Sequence, residues 1–244
     1  MNQIQIKRGD CLELMKEIPD KSIDMILCDL PYGTTNCKWD SIIPFDKLWE
    51  QYKRIIKNNG AILLFGDEPF ASVLRGSNTK LYHYDWYWFK NQATGHMNAK
   101  KMPMKKVETI SVFYKHLPTY NPQGLIELAQ PKINKNSSMN NCYKKADYQG
   151  ATKYTNYPNN VLEFNKPTTG NRLHPTQKPV PLLEYLIKTY TNESDVVLDN
   201  CMGSGSTGVA CINTNRNFIG YELDEHYFQI AKERLEQHEC KTNI

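Results

Sequence analysis

A short apolar strand, a tight glycine loop, a helix and a second strand follow one another in the segment Val196–Tyr221, VVLDNCMGSGSTGVACINTNRNFIGY. The loop has the G-x-G-x-x-G spacing, with Gly203, Gly205 and Gly208. Glycines let the backbone approach a ligand, and the helix that follows aims free N–H groups at it. The segment therefore predicts a nucleoside-binding α/β unit. A tight turn without a ligand is the alternative that the loop alone leaves open.

Acidic residues at the ends of both strands narrow the choice of nucleoside. Asp199 comes immediately before the loop, where a carboxylate would repel a diphosphate but could pair with an ammonium group. S-adenosylmethionine, whose methionine part carries an ammonium and a carboxylate, suits this position better than a dinucleotide. Glu222 directly follows the second strand and can accept both ribose hydroxyls. It could also be a solvated acid at the start of a helix, but its spacing from the loop favours ribose binding.

Apolar, β-branched runs alternate with amphipathic helical patterns over most of the 244 residues. Between the runs, apolar positions recur at three- and four-residue spacing, as one face of a helix requires. Strands that alternate with helices form a mostly parallel sheet with helices on both faces, so an α/β fold is expected. The predicted strands are Ile4–Lys7, Ile23–Cys28, Ala61–Phe65, Tyr82–Phe89, Thr109–Phe113, Val196–Asp199 and Phe218–Tyr221.

The alternation stops between about residues 116 and 172, where Asn, Lys, Tyr, Pro and Gln dominate. Such a segment is either a polar surface excursion or a recognition region, because Lys and Asn contact phosphates and base edges. We therefore divide the chain into residues 1–115, 116–172 and 173–244.

Composition narrows the class of protein further. Hydrophobic residues make up 40% of the chain and the net charge is +4, which is ordinary for a globular protein and permits nucleic acid as a partner. The seven cysteines include no close C-x-x-C pair, so we expect reduced thiols and no metal site. No apolar run approaches the roughly 18 residues of a membrane span. A soluble, cytoplasmic protein without a membrane partner is the expectation.

The other chemistry-bearing segment is SIDMILCDLPYG, residues 22–33, in which an apolar strand runs directly into Asp29-Leu30-Pro31-Tyr32. Ligands of open α/β folds bind at the carboxyl ends of strands. An acid, a proline bend and an aromatic ring at such an end suit a planar substrate that carries an amino group. The alternative is an ordinary exit from a strand into a turn, where Asp, Pro and Gly are common.

Three segments together resemble the signature blocks of the DNA amino-methyltransferases: DLPYG, HPTQKPVPLLEYLI, and NCMGSGSTG with IGYELDEHYFQIAKERL. Their order is similar to that of the circularly permuted beta group. The resemblance implies a Rossmann-like S-adenosylmethionine-dependent methyltransferase fold with a seven-stranded sheet. Residues 1–115 and 173–244 would form its catalytic domain and 116–172 an inserted target-recognition region. Permutation would also place the two chain termini on neighbouring elements.

The resemblance also implies roles for individual residues. The target base would meet the catalytic residues Asp29, Leu30, Pro31 and Tyr32. S-adenosylmethionine would be bound by Asp10, Cys11, Asp29, His174, Thr176, Lys178, Asp199, Cys201, Gly203, Ser204, Gly205, Thr207 and Glu222. Two positions depart from the pattern, because Leu30 replaces a usual proline and Cys201 replaces a usual aromatic residue.

The implied reaction is methyl transfer to the N6 amine of adenine in double-stranded DNA, since serine at the place of Asp29 accompanies cytosine N4 methylation in this family. The resemblance leaves open a homodimer and a cognate endonuclease of a restriction-modification system. Phosphate contacts are predicted for Lys100, Lys101, Lys105, Lys106, Lys144 and Lys145. A solvated basic loop is the other explanation of these lysines.

Three other functions are compatible with parts of the sequence. Methylation of cytosine N4 needs the same blocks. A nicotinamide-dependent oxidoreductase would use the glycine loop and Glu222 but leaves DLPYG and HPTQKP unexplained. A DNA-binding protein that has lost catalysis would keep the fold, although the intact Asp29 and Tyr32 argue against it.

Overall fold

The computed structural model describes residues 3–34, 40–133, 151–167, 173, 174 and 176–242. The strands in these ranges are β1 (Ile4–Arg8), β2 (Ile23–Cys28), β3 (Ile56–Gly66), β4 (Tyr82–Thr94), β5 (Lys105–Phe113), β6 (Ile126–Ile133), β7 (Ala151–Thr155), β8 (Val161–Phe164), β9 (Val196–Asp199) and β10 (Asn217–Glu222). The α-helices are α1 (Cys11–Leu14), α2 (Phe45–Ile55), α3 (Phe70–Ser77), α4 (Val180–Tyr190), α5 (Ser206–Asn213) and α6 (Glu225–Thr242).

The main sheet has the strand order β1-β10-β9-β2-β3-β5-β4-β8. The first five strands of this order, from β1 through β10, β9 and β2 to β3, pair in parallel. Strand β5 is antiparallel to both of its neighbours, β3 and β4, and β8 is parallel to β4. The mostly parallel α/β sheet is confirmed, but within the described ranges it has eight strands where seven were predicted. The additional strand, β8, comes from the polar segment 116–172. It escaped prediction because it has four residues and only one of them, Leu162, is fully buried.

Side chains of the sheet alternate between two hydrophobic cores, since successive residues of a strand point to opposite faces. In β2, Met25 and Leu27 pack with helices α4, α5 and α6, whereas Ile26 and Cys28 pack with α1, α2 and α3. Both faces are therefore covered by helices, which explains why β2 reads as a continuous apolar run.

The permuted connectivity places β1 beside β10, with Ile4 opposite Phe218 and Arg8 opposite Glu222. Helix α6 follows β10 in the chain and contacts β1 as well. The predicted neighbourhood of the two chain ends is confirmed. It matters for function because it brings the loop after β1 to the same edge of the sheet as the acid at the end of β10.

Residues 122–159 form a separate compact unit. Its described part is a two-stranded antiparallel sheet of β6 and β7, in which Ile126 pairs with Thr155 and Ile133 with Ala151. This unit lies inside the predicted insert 116–172, and the insert's role in target recognition stays a prediction. Lys144 and Lys145 lie outside the described residues. Among the helices of the described ranges, none is both long and apolar enough to span a membrane.

Candidate functional site

A cavity of about 510 Å³ lies at the carboxyl ends of β2, β9 and β10, within the size range of small-molecule sites. Its lining includes every residue predicted to be catalytic or cofactor-binding except Gly205. These residues converge because the carboxyl ends of parallel strands meet at one edge of the sheet. The target turn and the glycine loop thus open into one space.

The glycines of the loop meet two different demands. Gly203 and Gly205 have φ of +52° and +73°, in the left-handed region that side chains disfavour. Gly208 has a steric role, since a Cβ there would lie 2.7 Å from Leu235 and 2.9 Å from Phe218. Gly208 therefore lets α5 approach α6 and β10, while Gly203 and Gly205 shape the loop itself.

Asp199, at the end of β9, is buried and accepts a hydrogen bond from the Thr207 hydroxyl at 2.6 Å and one from the Cys201 amide at 3.1 Å. Burial raises its pKa to about 6, against these hydrogen bonds, which lower it. No ion pair reaches this carboxylate from any residue of the described ranges. A desolvated acid with this surrounding fits a ligand that brings a positive charge.

Glu222, at the end of β10, accepts hydrogen bonds from the backbone amides of Gly203 at 2.8 Å and Asp224 at 2.9 Å. Burial raises its pKa as well. The first of these bonds ties the glycine loop to the neighbouring strand and fixes the carboxylate beside the cavity. Such an acid can still accept further bonds from hydroxyl groups, as ribose recognition requires.

The predicted cofactor residues Asp10 and Cys11 begin α1. Asp10 caps this short helix by accepting a bond from the Leu12 amide at 2.8 Å. Hydrogen bonding to Cys201 and burial raise the pKa of Cys11 far above its usual range. The pKa of the Cys201 thiol is also raised: its hydrogen bond with Cys11 lowers it, but its hydrogen bond with Cys28 and burial outweigh that effect. Both thiols are therefore protonated at pH 7. Cys201, which stands where the family pattern has an aromatic residue, packs against the core that contains Cys11.

His174, in the HPTQKP segment, lies beside the glycine loop. The His174 ring packs against Tyr227 at 4.1 Å between ring centres, and its Nδ1 accepts a bond from the Thr176 amide at 3.2 Å. Burial and the nearby Lys178 charge lower the pKa of His174 to about 4, so the ring is neutral at pH 7. The Cβ that Gly203 lacks would lie 3.6 Å from the same ring. The predicted contact of this segment with the cofactor stays a prediction.

Asp29 lies in a network of charged groups. Its carboxylate accepts hydrogen bonds from the Tyr32 hydroxyl at 2.7 Å and from the Lys178 ammonium. Burial raises the pKa of Asp29, and the Lys178 charge opposes that rise. The Tyr32 ring stacks on Phe70 with 4.7 Å between ring centres. Leu30 is buried in the core with α1, α2 and α3, so its side chain has a packing role.

Three neighbours of this turn were not predicted from the sequence: Lys90, Glu108 and Phe70. The Glu108 carboxylate lies 3.0 Å from the Lys178 ammonium and 3.5 Å from that of Lys90. The sequence contained a signal for two of them, because Lys90 and Glu108 are charged residues in apolar runs that otherwise predict buried strands, WYWFK and VETISVF. Buried charges in a strand are uncommon unless they are paired.

The four described lysines that were predicted to contact DNA have different surroundings. They lie on the hairpin of β4 and β5, two of them in its turn and two at the start of β5, and all are exposed. Lys105 forms an ion pair with Asp67 at 2.8 Å, and the Lys106 ammonium lies 4.7 Å from the centre of the Phe89 ring. Lys100 and Lys101 stand in the turn after the short 3₁₀ helix His96–Asn98. The same hairpin contributes Thr94 to the cavity lining.

Comparison with known proteins gives a consistent result. The Type II methyltransferase M.HpaI of Haemophilus parainfluenzae is 30% identical over 244 residues, which cover 93% of this chain and 73% of the relative. The DNA adenine methyltransferase YhdJ of Escherichia coli (strain K12) is 27% identical over 95% of this chain and 82% of its own. The crystal structure of the M1.HpyAVI–SAM complex superimposes with a TM-score of 0.63 at 28% identity, covering 96% of this chain and 99% of that one. The family model described as DNA methylase (N6_N4_Mtase) matches residues 23–233. The chain therefore belongs to the DNA methylase family.

Proposed function

We propose that the protein transfers a methyl group from S-adenosylmethionine to the N6 amine of adenine in double-stranded DNA. The observation that carries this proposal is the shared cavity, in which the Asp29 turn faces the acids Asp199 and Glu222. Membership of the DNA methylase family removes the nicotinamide-dependent oxidoreductase alternative. Adenine is favoured over cytosine by the aspartate at position 29 and by the relative that is named an adenine methyltransferase.

The residues around the glycine loop fit S-adenosylmethionine. Asp199 is a buried acid without a cationic partner among the described residues, and it would hold the ammonium group of the methionine part. Glu222 would accept the ribose hydroxyls. Bound S-adenosylmethionine supplies an electrophilic methyl group on a sulfonium. We assign Gly203, which lines the cavity, to the close approach of backbone and ligand.

The Asp29 turn would activate the target amine. An adenine amine is a poor nucleophile because its lone pair is delocalised into the ring. Hydrogen bonds from its two N–H groups to the Asp29 carboxylate and the Leu30 carbonyl would make the nitrogen more pyramidal and orient the lone pair. The acceptor at position 30 is a backbone carbonyl, so leucine in place of proline does not remove it. The base would leave the duplex at a cost of a few kcal/mol.

The wild-type protein is expected to methylate adenine in one DNA sequence context. The test is long-read, modification-sensitive sequencing of DNA from cells that express the chain, with a labelled-methyl assay on the purified protein. DNA from cells that express an Asp29→Ala variant is the matched control. Methylated cytosine N4 in place of adenine N6 would contradict the assigned base, and unmodified DNA would contradict the whole proposal.

Replacing three exposed lysines, Lys100, Lys101 and Lys106, by Gln should weaken DNA binding and flatten its salt dependence. Each lost phosphate contact lowers the slope of log affinity against log salt by about 0.9. Fluorescence anisotropy over a range of salt concentrations measures this slope. The control is Lys105→Gln, which should change the slope less because Lys105 is paired with Asp67. An unchanged slope in the triple variant would place the DNA elsewhere.

A further inference from the structure

Two partly buried acids share the same two hydrogen-bond donors beside the cavity. The Lys178 ammonium bonds to Asp29 Oδ2 and lies 3.0 Å from Glu108 Oε1. The Tyr32 hydroxyl lies 2.7 Å from Asp29 Oδ1 and 3.4 Å from the same Glu108 oxygen. Each oxygen of Asp29 is thus engaged by a donor, and each of these donors has Glu108 within reach as a second acceptor.

This arrangement bears on the proposed function, on which the inference rests. Each Asp29 oxygen already accepts one bond, so the N–H group of a target amine that bonds to this carboxylate would compete with Lys178 or with Tyr32 for the same oxygen. Lys178 is 9% exposed in its side chain, and a buried ammonium left without an acceptor is strongly destabilised. With Glu108 in reach, neither donor loses all its partners when Asp29 turns to the substrate.

Charge balance supports the same role. Lys178 and Lys90 hold the pKa of Glu108 below its usual value, although burial alone would raise it. Glu108 therefore carries a negative charge, and Lys90, 3.5 Å away and 5% exposed in its side chain, balances it. With Asp29 ionised as the acceptor of the Lys178 bond, the group of two lysines and two acids has no net charge. A shift of Lys178 from Asp29 toward Glu108 leaves that sum unchanged within the buried site.

We propose that Glu108 is a positioning residue, which takes over Lys178 and the Tyr32 hydroxyl as Asp29 accepts the target amine. Glu108 acts through these two side chains and not by contact with the substrate. It is supplied by β5, opposite Trp88 of β4, on strands that carry no part of the cofactor loop. Its loss should therefore slow methyl transfer and spare cofactor binding.

A double-mutant cycle tests this assignment: wild type, Glu108→Gln, Lys178→Met and the double variant, compared in single-turnover methyl transfer on target DNA. Glu108→Gln should lower the rate about 10- to 100-fold and leave the affinity for S-adenosylhomocysteine within about twofold. In the Lys178→Met background the same substitution should change the rate less than about threefold, because no ammonium remains to be shared.

Equal factors in the two backgrounds, or an unchanged rate in Glu108→Gln, would overturn the inference while wild-type activity stands. An inactive wild type would overturn the proposed function together with it. Asp85→Asn is the matched control: Asp85 is a buried acid of β4 that accepts a bond from Ser111 and lies outside the cavity lining. It should give the same factor in both backgrounds.

Folding of the variants is followed by thermal unfolding. If Glu108→Gln does not fold, Glu108→Asp replaces it in the cycle, since it keeps the charge that balances both lysines but shortens the side chain by one methylene. A rate reduction that again depends on Lys178 supports the assignment. A wild-type rate in Glu108→Asp, whose oxygens no longer reach both donors, contradicts it.

Discussion

Asp29→Ala is expected to lower the rate of methyl transfer on the order of 10³-fold, the size of effect that follows the loss of one preorganised group at a reacting centre. The variant loses the carboxylate that would orient the target amine. Binding of S-adenosylhomocysteine should change little, because Asp199 and Glu222 are held by their own hydrogen bonds to the loop. Single-turnover transfer and calorimetric binding separate the two quantities.

The same structure predicts that Asp29→Ala stays folded. The Lys178 ammonium keeps Glu108 at 3.0 Å, so the substitution does not leave a buried cation without a partner. Asp29→Asn is the matched control, since the asparagine side chain has nearly the same shape and keeps one acceptor oxygen but carries no charge. It should retain more activity than the alanine variant. If Asp29→Ala turned over at a near-normal rate, Asp29 would not be the acceptor of the target amine.

Pairing between distant parts of the chain limits what the sequence could reveal of this site. Asp29, Asp199 and Glu222 each follow an apolar strand, and the carboxyl ends of such strands converge in any parallel sheet. Their meeting was therefore predictable. Glu108 reaches the site through the antiparallel pairing of β5 with β3, in which Gly66 lies opposite the neighbouring Thr109, and with β4, in which Trp88 lies opposite Glu108. That register depends on the length and course of the connecting hairpin, which no local pattern specifies.

Lys178 shows a second limit of sequence reasoning. Its hexapeptide was predicted to bind the cofactor, and described residues of the segment line the cavity beside the glycine loop. The ammonium itself pairs with Asp29 and Glu108 and lies 4.9 Å from the centre of the Phe65 ring. Sequence spacing gives the position of a long side chain along the chain but not its direction. The partner of Lys178 was visible only once strands β2, β3 and β5 were adjacent.

Asp10 differs in that its local role could have been predicted. An aspartate immediately before a short amphipathic helix is a common N-cap, and here one carboxylate oxygen bonds to the Leu12 amide. The other part of its expected role, binding of the cofactor, depends on the loop between β1 and α1. The cap fixes the carboxylate at the cavity wall, which is compatible with that role and does not depend on it.

Asp199→Asn is expected to reduce the affinity for S-adenosylhomocysteine about 10- to 100-fold at pH 8, because a hydrogen bond to a charged group contributes about 1.5–3 kcal/mol. The asparagine keeps an oxygen for the Thr207 hydroxyl, which lies 2.6 Å from Asp199 Oδ2. It cannot supply the negative charge that pairs with the ligand's ammonium. Isothermal calorimetry gives the affinity, and thermal unfolding shows whether the variant is folded.

The pH dependence of binding gives the same assignment a sharper test. Burial raises the pKa of Asp199 to about 6 in the free protein, and a bound ammonium would lower it. Above this pKa the acid is already ionised and the affinity is independent of its titration. Below it, the affinity should fall toward about tenfold per pH unit until the pKa of the bound state is reached. Glu222 and His174 titrate in both proteins, so only the difference between wild type and Asp199→Asn reports on Asp199. Parallel pH curves for the two proteins would show that the ammonium binds to another group.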